Sequence, residues 1–362
     1  MKSSNILLIS PEPWTYVFVS KHHYAIELAK RGHKVFFLNP PSGNKDIEIT
    51  TSQYANVFVV DYPVNVRGQR FLPGFLRRWI DRKTYNAIQR MAGVRFDVIW
   101  NFENSRFYDF RFAPRDTLKI YHQVDLNQDF HPQLAAKTAD ICFCTTELIL
   151  ANLKQFNPHS YKIHHGASQN AFLAKNDSVK GVIDQSKPVV ALYIGNLDMP
   201  YIDLDAAESL VSKFPVVNFY FVGPYQKRGA FFQRMQHYSN CIFTGRVKSE
   251  ELRQYTIRGD ILLVFYQERY HRDQANPHKL MEYLASGKVV VASYTDEYKD
   301  NNELLLMSRK NEDLSGLFQY AVDHLAELNS CERKQMRIDF AMEHTYDKQL
   351  NKIESFIDQL QR

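Results

Sequence analysis

At roughly 150 residues per domain, a chain of 362 residues favours two domains over one large or three small ones. Apolar types at 44% and charged types at 23% exclude a disordered, collagen-like or coiled-coil chain. Four cysteines, Cys142, Cys144, Cys241 and Cys331, are too few for a disulfide framework and lack zinc-site spacing, and a net charge of +5 does not by itself argue for nucleic acid.

The first apolar run, Ile6 to Ile9, stops at Pro11, too short for a signal-peptide core or a spanning helix, so a cytoplasmic placement is expected. A helical pattern from Ser20 to Arg31 is closed by Gly32, and Val35 to Leu38 restarts as a strand. Further runs at Val57 to Val60, Asp97 to Trp100, Leu118 to Tyr121 and Ile141 to Thr145 continue the alternation. Residues 176–188 are polar with glycine and proline, a linker by composition. A second series follows at Val189 to Ile194, Phe219 to Val222, Cys241 to Thr244, Ile261 to Phe265 and Val289 to Ala292. Runs that are apolar throughout, with helices between them, predict a parallel sheet covered on both faces in each half. From Leu314 onward the chain reads as helical, with Ile353, Phe356, Ile357 and Leu360 at helical spacing.

Ligands of open parallel sheets collect beyond the carboxyl ends of the strands. In the second half those positions hold Gly195-Asn-Leu-Asp198, Gly223-Pro-Tyr225 and Gly245-Arg246. Glycine lets a phosphate or base approach the backbone closely, although tight strand-to-helix turns use glycine in any case. Residues 276–287 predict a short helix, with Asn276 as its cap, Pro277 at its first position and Gly287 as its stop. Its apolar stripe is Leu280, Met281, Leu284 and Ala285, so Lys279, Glu282 and Ser286 leave the core together. They either form an ordinary exposed pair or, with the helix N-terminus, suit a diphosphate followed by ribose.

These segments resemble the donor half of GT-B glycosyltransferases, the retaining, family 4-like enzymes of bacterial surface polysaccharide synthesis. The residues that carry the likeness are Gly195-Asn-Leu, Phe221-Val-Gly-Pro224, Phe243-Thr-Gly-Arg246, the run 257–265, and above all 276–291. The opening Pro11-Glu-Pro-Trp14, the stretch 20–35, Asn39-Pro-Pro41 and Lys162-Ile-His-His-Gly-Ala167 are similar to the first domain of that family. The resemblance implies two Rossmann-like α/β domains facing across a cleft. Residues 1–175 would bind the acceptor, 186–340 the nucleotide-sugar donor, and a last helix over 341–362 would cross back to the first domain. In the implied donor site Glu282 holds the ribose, Arg246 and Lys279 neutralise the departing diphosphate, and Gly223 and Val247 cradle the base. Gly195, Asn196, Pro224, Tyr225, Asn276, Pro277, His278 and Leu280 complete it. One position departs: eight residues before Glu282, where such enzymes often carry a second glutamate, this chain has Gln274.

The only Asp-x-Asp, Asp203-Leu-Asp205, reads as the acidic first turn of a helix, so neither metal nor cofactor is expected beyond the donor itself. In the first half, strand ends offer Trp14, Asn101 with Glu103, and His122 with Asp125. His122 and Asp125 are candidates to orient the acceptor or touch the donor phosphate, or else are structural; Trp14, Glu103 and His122 form the expected acceptor side. Cys142 and Cys144 share one strand face and are expected in the core. Between Arg67 and Arg95 eight basic residues stand against Asp81 alone, interleaved with Phe71, Phe75, Leu76 and Trp79. That is either a solvated helix or a surface for anionic lipid on the inner face of the membrane, which would suit a lipid-linked saccharide acceptor. Two rival functions stay open: a sugar-nucleotide epimerase or hydrolase, and a non-catalytic nucleotide-sugar-binding subunit. A nicotinamide dehydrogenase is disfavoured because Pro11-Glu-Pro13, not a glycine motif, follows the first strand.

Overall fold

The computed structural model describes residues 3–64, 66, 68–126, 130–172, 189–248 and 251–360; the expected linker over 176–188 and Arg67 of the basic stretch lie outside the described residues. The chain forms two compact units, Met1–His165 with Tyr346–Arg362, and Gly166–Thr345. The passages fall at 165 and 345, where the family resemblance implies 175 and 340. The reason is local: Ala167 bridges to Thr345 and its N–H donates to the His344 carbonyl at 3.0 Å, which ties both passages into the second unit.

In the first unit, β1 (Asn5–Ile9), β2 (Lys34–Leu38), β3 (Glu48–Thr51), β4 (Val57–Asp61), β5 (Val98–Asn101), β6 (Leu118–Gln123), β7 (Ile141–Cys144) and β8 (Ser160–Lys162) form one sheet in the order β3-β4-β2-β1-β5-β6-β7-β8. All neighbours run parallel except the edge pair β3–β4. β3 is Glu-Ile-Thr-Thr and mostly exposed, which is why no apolar run announced it. Along β1, Ile6 and Leu8 enter one core while Leu7 and Ile9 enter another on the opposite face, as a sheet covered on both sides requires. Cys142 and Cys144 sit together in the second of these cores. The helices of this part are α1 (Ser20–Lys30), α2 (Gly74–Ala92), α3 (Pro132–Thr138) and α4 (Glu147–Lys154).

The second unit has β9 (Val189–Ile194), β10 (Val217–Val222), β11 (Cys241–Gly245), β12 (Ile261–Val264), β13 (Val289–Ser293) and β14 (Leu306–Ser308), all parallel, in the order β11-β10-β9-β12-β13-β14. Its helices are α5 (Leu204–Lys213), α6 (Ala230–Met235), α7 (Leu252–Thr256), α8 (Lys279–Ala285), α9 (Leu314–Asp323), α10 (Leu325–Leu328) and α11 (Cys331–Glu343), and α12 (Tyr346–Leu360) returns to the first unit. The continuous helix expected from Leu314 onward is therefore broken; one break is a new N-cap, where Ser330 Oγ accepts from the Arg333 N–H. α12 lays Leu350, Ile353 and Ile357 into the first unit's core, and Arg31, just past α1, clamps it by pairing with Asp347 at 2.6 Å and Glu354 at 3.2 Å. Among the described residues, no helix is long and apolar enough to cross a membrane.

Candidate functional site

In the second unit, strand order reverses between β9 and β12, and this is where an open parallel sheet leaves a crevice beyond its strand ends. The two strands pair only at Ile261–Ala191 and Leu262–Leu192. Past that point the Tyr283 hydroxyl fills the gap, accepting from the Ile194 N–H at 2.9 Å and donating to the Leu263 carbonyl at 3.4 Å. Tyr283 thus pins α8 to the mouth of the crevice. Its neighbours Leu280, Met281 and Leu284 are fully buried, which turns the charged side of the helix toward the strand ends.

Lys279 occupies that mouth. Its Nζ stands 3.9 Å from the ring centroid of Tyr193 and 5.3 Å from that of Tyr266. A Cβ on Gly195 would meet the same mobile Nζ at 2.8 Å, and it is the φ of +149° that makes this strand end a glycine position. Gly223, at φ +147°, is required for a different reason: a Cβ there would come within 2.0 Å of the Gly195 carbonyl oxygen. Gly195 lies beside a cation, and Gly223 leaves room for its neighbour's backbone. Burial pushes the Lys279 amine down to about 7, with Glu282 opposing the shift. It likewise pushes the Glu282 carboxyl up to about 7, against the pull of Lys279. Both side chains remain part-exposed, so each can meet a ligand. A weakly basic amine and a weakly acidic carboxyl, both desolvated by burial, suit an anion that restores charge to the lysine and a hydroxylated group that binds the carboxyl.

The other expected donor residues distribute unevenly. Arg246 follows β11 directly and is exposed, on the same carboxyl edge as Gly195 but two strands away, about 10 Å across the sheet. Asn196 turns its Oδ1 to the Asp198 N–H at 3.0 Å, Pro224 accepts from Leu197, Tyr225 stacks on Phe232 at 4.9 Å, and Val247 packs against the core. Asn276 is buried and does not cap the helix; α8 starts at Lys279 behind His278, with no side-chain cap, because 277–280 close as a tighter turn through the Leu280 N–H to the Pro277 carbonyl at 3.0 Å. Leu280 is also removed from the binding set, since that bond uses its N–H and its side chain is in the core. Asp203 caps α5 through the Ala206 N–H at 3.0 Å and Asp205 pairs with Arg234 at 2.6 Å, so the Asp-x-Asp is a helix start as expected. Tyr193, Tyr266 and Tyr283, which seat Lys279 and its helix, were not singled out from sequence. Their spacing marks them only as apolar positions in strand and helix patterns.

On the first unit, two expectations are corrected. His122 lies inside β6, only 1% exposed, with its ring 4.7 Å from Phe102 and flanked by Trp100 and Tyr24. Burial pushes its pKa down to about 3, a neutral core histidine rather than one facing ligand. Trp14 is packed among Phe18, His22 and Phe37, with its backbone N–H held by Asn39 Oδ1 at 2.8 Å. Asp125, just past β6, has its pKa raised by burial, opposed by Lys21 and assisted by Glu12, two residues that are themselves ion-paired. Glu103 is engaged by Arg106 at 3.0 Å and by the Ser105 N–H at 2.8 Å; burial raises its pKa, but these contacts outweigh it and hold the carboxyl below its usual value.

Residues 188–325 match the family described as "Glycosyl transferases group 1". Over 161 residues, 43% of this chain, it is 27% identical to the protein named "Putative teichuronic acid biosynthesis glycosyltransferase TuaH" of Bacillus subtilis (strain 168), and the match spans 40% of that relative's length. Among solved structures, sucrose-phosphate synthase from Thermosynechococcus elongatus aligns over 99% of both chains at 14% identity with a TM-score of 0.73. Anabaena HepE in complex with UDP and glucose aligns over 97% of this chain and 99% of its own at 12% identity and TM-score 0.66. At these identities the likeness establishes the fold, GT-B, for the whole chain.

Proposed function

We propose that this chain, with its glycosyl transferases group 1 domain at 188–325 on a GT-B fold, transfers a hexosyl group from a nucleotide diphosphate sugar to a saccharide or lipid-linked saccharide. The observation that carries the reading is Lys279 at the strand-order reversal, its amine over the Gly195 turn. Leaving-group departure places negative charge on the diphosphate while positive charge grows on the sugar. Lys279, recharged by the diphosphate, and the exposed Arg246 would stabilise that developing charge, each by about 2.7–4 kcal/mol on the scale of oxyanion donors. Glu282, one turn further along α8, would accept from the ribose hydroxyls. With Asp203 occupied in capping α5 and Asp205 paired to Arg234, the chain's own cations are the groups proposed to balance the diphosphate without a metal. Retention of configuration follows the family likeness. The reaction is placed in the cytoplasm, where nucleotide sugars serve polysaccharide synthesis.

Calorimetry tests this directly, with UDP first because HepE was solved with UDP, then GDP, ADP and dTDP. At least one nucleotide should bind, and Glu282→Ala should weaken it by at least about tenfold, the loss of one or more charged hydrogen bonds; unchanged affinity removes Glu282 from the site. Gln274 favours a second reading, a subunit that binds nucleotide sugar without using it. Incubating protein with donor, with and without a membrane extract, separates the readings: donor consumed by the protein only when the extract is present selects the transferase, donor consumed without it a hydrolase or epimerase, and donor left intact the binding subunit.

A further inference from the structure

The first sheet also reverses its strand order, between β1 and β5, so a crevice lies beyond the carboxyl ends of those strands as well. Glu12 stands just past β1, and Asp125 just past β6, the strand beside β5. Lys21, in the first turn of α1, joins the two. Its ammonium pairs with Glu12, and it lowers the Asp125 pKa that burial raises, while Glu12 adds to the rise.

A lysine at this place costs stability twice. Its side chain is only 3% exposed, and the first turn of a helix already carries the positive end of the dipole, with no acid in that turn of α1 to offset it. Glu12 answers part of that charge. Asp125, part-exposed, keeps its carboxyl open: among the described residues nothing hydrogen-bonds to it, and only its backbone carbonyl is engaged, by Gln123 Nε2 at 3.2 Å. The frame around the three groups is fixed. Ser10 Oγ donates to the Glu12 carbonyl at 2.6 Å and accepts from the Glu12 N–H at 3.1 Å, and the His22 ring spans the Val19 N–H and the Pro13 carbonyl, each at 3.2 Å. A buried cation thus stands behind a desolvated carboxyl whose oxygens are left for something from outside the chain.

We infer that Asp125 accepts a hydrogen bond from the acceptor hydroxyl that attacks the donor sugar, and that Lys21, held by Glu12, is the positioning residue that keeps this carboxyl ionised and aimed. The inference rests on the transferase reading above and names the group that meets the acceptor. A carboxylate there directs a lone pair of the hydroxyl oxygen and raises its electron density, which a neutral group does less well. The charges acting on Asp125 are Lys21 from α1 and Glu12 from the loop after β1; His122 of β6 is neutral.

The test follows the consumption of donor that depends on membrane extract, across pH, with the full chain and saturating donor so that Lys279 and Glu282 are already engaged. Asp125→Ala should lower this rate by at least about tenfold, the loss of a hydrogen bond to a charged group, with nucleotide affinity in calorimetry as in wild type. Asp125→Asn, which still accepts but cannot ionise, should recover part of the rate and lose the acidic limb of the pH profile. Rate falls as the carboxylate is protonated, so Lys21→Met, which removes the charge that lowers the Asp125 pKa, should move that limb to higher pH. Glu12→Gln should move it to lower pH, and Lys21→Arg should restore it. An Asp125→Ala variant as active as wild type, a limb that stays in place in both Lys21→Met and Glu12→Gln, or a nucleotide affinity that falls in Asp125→Asn would overturn the inference. Failure of the transferase reading would appear separately, as wild type that leaves every donor intact in the presence of extract.

Discussion

Lys279 is subject to two opposing demands. Burial against Tyr193 and beside Gly195 favours the neutral amine, while a bound diphosphate favours the ammonium. Free of ligand its pKa is about 7 instead of the usual 10.5, so at pH 8 most of the amine is uncharged. An anion raises that pKa, and binding at pH 8 should therefore take up a fraction of one proton. Calorimetry of UDP in buffers of different ionisation enthalpy measures it, and Lys279→Met should abolish the uptake. A Glu282→Gln variant tests the other half of the pair. Its folded pKa, about 7, lies above the ordinary 4.5, so the carboxyl's contribution to stability is full below about 4.5 and is lost as pH rises through about 7. The variant, which cannot ionise, should gain melting temperature relative to wild type between those two values.

α8 owes its position to its surroundings more than to its own length, since seven residues cannot hold a helix in water. Tyr283 fixes its middle between β9 and β12. Gly287, at φ +71°, ends it against Ile338 of α11. Next to that end, buried Arg337 donates to three carbonyls, those of Leu304, Gly287 and Leu328, at 3.1, 3.0 and 2.9 Å. Its surroundings are so dry that its own pKa falls to about 10. Removing it strands three acceptors, at about 1–3 kcal/mol each. Arg337→Ala should therefore destabilise the protein by at least about 3 kcal/mol in urea unfolding and weaken nucleotide binding, although it touches no ligand. Arg337→Lys should recover part of both.

At the scale of the molecule, the last helix joins residues distant in sequence within one core. Ending the chain after Thr345 would uncover the positions now filled by Leu350, Ile353 and Ile357 and release Arg31 from Asp347, Asn351 and Glu354. Three such side chains account for about 5 kcal/mol or more, comparable with the whole stability of an ordinary domain. The truncated chain should lose the calorimetric transition of the first unit while UDP still raises the melting temperature of the second, because residues 166–345 have a core of their own.

Two αβ units with parallel sheets were legible from the sequence alone because strands buried on both faces must be apolar throughout, and Val189 to Ile194 or Val289 to Ala292 are short, β-branched runs of that kind. The charged side of α8 was legible too, since helical periodicity follows from backbone geometry and needs no partner. Exposed edges such as β3, with its Glu-Ile-Thr-Thr, were not, because their pairing depends on a neighbour and leaves no apolar mark. Nor could spacing tell His122 from a ligand-facing histidine. Whether an imidazole at a strand end is solvated or wrapped by Phe102, Trp100 and Tyr24 is settled by side chains far along the chain. The aromatic seat of Lys279 belongs to the same class: Tyr193, Tyr266 and Lys279 lie on three segments far apart in sequence or structure type, β9, the stretch after β12, and α8, and only packing brings the rings under the amine.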